Sequence, residues 1–62
     1  MLTIGDQVVE ITNINSLTTT EIQKSSGIIT SINNTHASVH INGNVKEILL
    51  DNLIKLSLVF NK

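Results

Sequence analysis

The chain has 62 residues, a formal net charge of −1, and 40% hydrophobic against 15% charged residues. That describes one small domain, too apolar to be disordered, with no long-range pull on phosphate backbones or anionic membranes. Ten Ile, five Val and seven Thr against a single Ala point to strands, and the lack of Cys excludes disulfides, thiolate metal sites and cysteine nucleophiles.

Gly5-Asp6 reads as a turn opening a first strand, Gln7 to about Ile14. The polar run from Asn15 to Thr20 is a loop. Residues Glu21 to Ser26 stay open between two readings. Thr18-Thr19-Thr20-Glu21 fits a capping box, with Gly27 as a possible C-terminal stop for a turn or two of helix. Such a helix has only Ile22 to bury and is marginal alone, so strand or loop is preferred. Gly27 to Ile32 is a strand ended by the turn pair Asn33-Asn34. His36 to Ile41 alternates, with Ala37, Val39 and Ile41 on the buried face. Asn42-Gly43 is the strongest short hairpin signal, because both central positions of a type I′ turn need positive φ. Asn44 to Leu50 returns, with Ile48 and Leu50 inward and Glu47 and Leu49 outward. A tight turn at Asp51-Asn52 tucks Leu53 inward, a last strand runs from Ile54 to about Val59, and Asn61-Lys62 fray. Five short strands with tight turns predict an all-β fold, a small closed barrel or an orthogonal sandwich, since closure removes aggregation-prone edges.

At Gly5-Asp6-Gln7-Val8 the chain resembles the opening of SH3-like small barrels, including Tudor-like and KOW-type modules. Gly27-Ile28-Ile29-Thr30-Ser31-Ile32 resembles their second strand, and Ala37-Ser38-Val39-His40-Ile41 with Asn42-Gly43 their third strand and distal hairpin. Ile48 to Leu56 is similar to their fourth strand, single 3₁₀ turn and closing strand. The resemblance implies one five-stranded SH3-like barrel over residues 1–62, with a short 3₁₀ turn before the last strand. It carries a fold and no function. In the first strand Val9 and Ile11 stand where the family pattern would make Glu10 apolar, which predicts a β-bulge near Val8-Val9. Carbon-storage-regulator dimers share the length and the Ile4-Gly5-Asp6 segment, but they bind RNA through Arg residues, and this chain has none.

Little here carries catalysis. His36 and His40 lie four residues apart on one strand face, about 13 Å, too far to share a metal ion. Asp6 and Asp51 sit where turns need an acceptor for backbone N–H groups. No nucleophile–base pair or phosphate loop is present. The predicted chain is non-enzymatic, without cofactor or metal. Lys24, Lys46, Lys55 and Lys62 are scattered and Phe60 is the sole aromatic, which disfavours nucleic acid as well as an aromatic groove or cage. No apolar run reaches the ~20 residues of a membrane span, and Met1 to Asp6 does not read as a secretory signal. Cytoplasmic location is the resulting expectation.

Protein–protein binding remains. Leu2, Ile14, Leu17, Leu49, Leu58 and Phe60 exceed what one small core absorbs, and Leu49, Leu58 and Phe60 are the candidate contact residues. The expected function is a small accessory or regulatory protein. It docks on a larger protein or complex as subunit or inhibitor, or assembles with itself. Lys-only basic residues and eight Asn suit an AT-rich genome, a phage among them. The alternative is a KOW-type nucleic-acid or ribonucleoprotein module.

Overall fold

The computed structural model describes residues 1–60; the expected fraying of Asn61 and Lys62 lies outside the described residues. Thr3 donates its backbone N–H to Asp6 Oδ2 at 2.8 Å, and Gly5 takes φ +95°, which sets the turn that starts β1, Gln7–Glu10. A 3₁₀ segment, Ile11–Ser16, leads to helix α1, Thr19–Ser25. Then come β2, Gly27–Ile32, β3, His36–Ile41, and β4, Asn44–Leu49. A 3₁₀ turn, Leu50–Asn52, precedes β5, Leu53–Lys55, and helix α2, Leu56–Phe60, comes after it. The five strands form one antiparallel sheet in the order β4-β3-β2-β1-β5. The ladder does not close: β4 and β5 are its edges. The fold is mainly β, as composition predicted, with an open sheet in place of the closed barrel.

Three local expectations are corrected. The first strand ends at Glu10 and not near Ile14, because Glu10 pairs with Leu53, the first residue of β5, and Val8 with Gly27, the first of β2. Past Glu10 no neighbouring strand is left on either side, so the chain tightens into 3₁₀ turns. The last strand stops at Lys55, opposite Val8. The next partners would be Gln7 and then the turn at Asp6, and Leu56 to Phe60 coils into α2 instead. Residues 19–25 are helix, against the expected strand or loop. Thr18 Oγ1 accepts from the Glu21 N–H at 3.2 Å and Glu21 Oε1 from the Thr18 N–H at 2.9 Å, while Ile22 is buried. Both halves of the capping box form, and the helix is capped at its C-terminus by Ser26, not Gly27.

The bulge is also elsewhere. β1 runs in unbroken register against β5, and the irregularity falls in β2 between Ile29 and Ser31. Val8 and Val9 are both buried: Val8 in the main core, and Val9, on the other face by alternation, outside it, as is Ile22. The core joins Val8, Ile29, Ala37, Val39, Ile48 and Leu53, with Leu2, Ile41 and Leu50 packed against it. Asn42 at φ 52° and Gly43 at φ 84° form the expected two-residue hairpin between β3 and β4.

Candidate protein-binding surface

The register of β3 against β4 defines the surface. Ala37 faces Ile48 and Val39 faces Lys46 on the core side, while His36 faces Leu49, Ser38 faces Glu47 and His40 faces Val45 on the outer side. Residues directly opposite in an antiparallel pair share a face. Along β4 the outer row is thus Val45, Glu47 and Leu49, with Val45 61% and Leu49 53% exposed. Ile28 extends this face across the sheet, lying opposite both Gln7 and His40 at 41% exposure.

The backbone of the same three residues points away from β3. Leu50 donates its N–H to the Thr35 carbonyl at 2.9 Å, in the register that continues the β3–β4 pairs. Hydrogen-bonded and non-bonded pairs alternate along an antiparallel ladder. The bonded positions of β4 are therefore Leu50, Ile48, Lys46 and Asn44, and the N–H and C=O groups of Val45, Glu47 and Leu49 face the open edge.

Charge on β4 is unevenly satisfied. Lys46 Nζ donates to Glu10 Oε1 at 3.4 Å, and Asn52 Nδ2 donates to Glu10 Oε2 at 3.3 Å. That ion pair joins β1 to β4, which are not neighbours in the sheet, so the sheet is curled. Glu47 is exposed and has no partner among the described residues.

The three residues singled out in the sequence do not form one patch. Leu49 lies on edge strand β4, whereas Leu58 and Phe60 lie on α2, which packs against β1 and β5. Leu58 is 59% exposed. It borders an apolar groove that runs over Leu2 and Leu53 toward Ile32 and Leu50. Phe60 is half-buried and closes a smaller groove of about 380 Å³ with Asp6, Gln7 and Lys55. Leu2, Ile14 and Leu17 are half-buried. Val45 and Ile28 escaped the sequence reading. Alternation from Leu49 was enough to find Val45, but Ile28 becomes part of the surface only through the β2–β3 register.

The Asp6 carboxyl titrates below its ordinary value. The Thr3 N–H does most to hold its carboxyl below the ordinary value; desolvation opposes this, and the Lys55 ammonium at 3.7 Å adds to it. Asp6 thus has the expected turn role. Asp51 does not: it is exposed and accepts no hydrogen bond within the described residues. His36 Nδ1 lies 2.7 Å from Thr35 Oγ1 and His40 is exposed between Ile28 and Val45. Among the described residues no three His, Asp or Glu side chains converge as metal ligands, and no helix is long and apolar enough to cross a membrane. Comparison of the chain with protein-family models, curated proteins and solved structures returns no match.

Proposed function

We propose that this chain is a small non-enzymatic accessory or regulatory protein that acts by binding another protein. The observation that carries the reading is exposed apolar surface. Eight large hydrophobic side chains stand open among the described residues, Val45, Leu49 and Leu58 each more than half exposed, beside only eight buried ones. Exposed apolar side chains set among polar ones are the raw material of protein interfaces. An SH3-like architecture is part of the same proposal. It is supported by the strand order β4-β3-β2-β1-β5, by the 3₁₀ turn Leu50–Asn52 ahead of β5, and by the Glu10–Lys46 contact across the curl.

The test is affinity capture from native extract with the wild-type chain and with Leu49→Asp and Leu58→Asp, next to sedimentation of the purified proteins. The expected result is a stoichiometric protein partner whose capture falls for at least one variant that still melts cooperatively. A chain that sediments as a monomer and captures nothing overturns the reading.

A further inference from the structure

We infer that the free edge of β4 receives an extended segment of a partner protein as a sixth strand, and that this segment is cationic at the position opposite Glu47. The inference rests on the protein-binding reading above and names the partner's chemistry. Three observations converge. β4 is an edge strand of six residues with no bulge against β3, no Pro and, among the described residues, no strand paired to its free edge. The outward-pointing backbone groups belong to Val45, Glu47 and Leu49. The side chains of these same residues line the outer face as apolar, acidic, apolar. An added strand gains main-chain hydrogen bonds at each of the three and reads their side chains at alternate positions.

Charge decides between a second copy and a different partner. Lys46 is already engaged by Glu10, so among the described residues Glu47 is the charge on the strand left without a partner. Two copies pairing antiparallel through β4 about a two-fold axis keep their outer faces on one side, so only residues of equal parity meet. Centred on Glu47 the pairing sets Glu47 against Glu47, and centred on Lys46 it sets Lys46 against Lys46. Like charges directly opposite destabilise a ladder. Slipping the register to centre on Val45 or Ile48 avoids both clashes but leaves only about three residues of β4 overlapping on each side, too few for a stable pair. The charges therefore guard the edge against its own copy and leave it open to a segment with an apolar–x–Lys–x–apolar pattern.

The experiment is an amide-resolved NMR titration of the full chain with the peptide Thr-Val-Thr-Lys-Thr-Val-Thr and with the same peptide carrying Glu in place of Lys. Up to about 1 mM peptide, the Lys peptide is expected to shift the amides of Val45, Glu47 and Leu49 first. The Glu peptide binds about threefold or more weakly. In Glu47→Lys, an exposed change, the preference reverses. Val45→Pro removes an N–H that β3 does not use, so it abolishes binding while the β3–β4 amides keep their hydrogen-exchange protection. No shift at these amides, shifts centred on α2 instead, or equal binding of both peptides by wild type and Glu47→Lys overturns the inference. The two readings fail separately: a partner captured from extract equally well by wild type and Glu47→Lys removes the β4 edge and leaves protein binding standing, whereas a monomeric chain that captures nothing removes protein binding itself.

Discussion

Gly27 carries more of the fold than its place in the sequence suggests. A Cβ there would overlap the His40 carbonyl and the side chains of Val39 and Ile41, so the close approach of the start of β2 to the end of β3 requires a residue without one. Gly27→Ala is expected to cost about 1–3 kcal/mol by overpacking, read as a lower midpoint in urea with unchanged slope. Gly43 acts through conformation instead. Its φ of 84° lies in the left-handed region with open space around it, so Gly43→Val strains the backbone and is expected to cost more than about 1 kcal/mol. Asp6 gives the pH dependence. Its carboxyl is held below its ordinary value chiefly by the Thr3 N–H, so the folded state binds that proton less readily than the unfolded chain. The resulting stability is present above about pH 3.9 and is lost as pH falls through the lower, folded value. Melting curves taken between neutral pH and strong acid should therefore fall less steeply for Asp6→Asn than for wild type.

At the scale of elements, lengths are set by partners. β1 and β5 are short because each runs out of the other. The segment after each strand becomes helical, although Ile11, Ile14 and Val59 are β-branched residues that favour strands. Helix α1 survives at seven residues through its reciprocal cap and the burial of Ile22. Thr18→Ala should cost about 1 kcal/mol, and Ile22→Ala about 2–5 kcal/mol, the second close to unfolding the chain. Their difference, measured by denaturant melts, separates capping from packing as the source of the helix. In α2, Leu58 points outward and Phe60 is half-buried. Leu58→Asp should leave the melting curve nearly unchanged while weakening partner capture, whereas Phe60→Asp should lower stability first. Equal loss of stability in both would mean that α2 packs with Leu58 inward.

For the molecule as a whole, only eight buried hydrophobic side chains among the described residues, in a domain without disulfides, leave a narrow margin, about 3–5 kcal/mol for chains of this size. The Glu10–Lys46 pair contributes little of it, since Lys46 is 59% exposed and exposed pairs are worth about 0–1 kcal/mol; its effect is to tie the curl of the sheet. A bound partner strand or protein would add to the margin by mass action, so melting temperature should rise with partner concentration. Circular dichroism should show strand as the main signal with a helical contribution from two segments, α1 and α2, rather than from one.

β2, β3, β4 and the Asn42-Gly43 hairpin were legible in the residues, because each is encoded locally, in period-two alternation or in turn residues with positive φ; the 3₁₀ turn before β5 was implied by the resemblance to SH3-like barrels. Leu49 was legible as outward too, since the parity of Ile48 leaves no other face. The ends of β1 and β5, the helix at Thr19–Ser25 and the helix at Leu56–Phe60 were not. Strand length depends on a neighbour far along the chain, and a marginal helix on what Ile22 meets. The separation of Leu49 from Leu58 and Phe60, the exposure of Ile28 and the freedom of the β4 edge arise from strand order and register. Those are long-range pairings, and no local pattern encodes them. Composition determined that this chain is mainly strand with surplus apolar surface; only the tertiary pairing decided which of that surface faces outward and which backbone groups are left to bind.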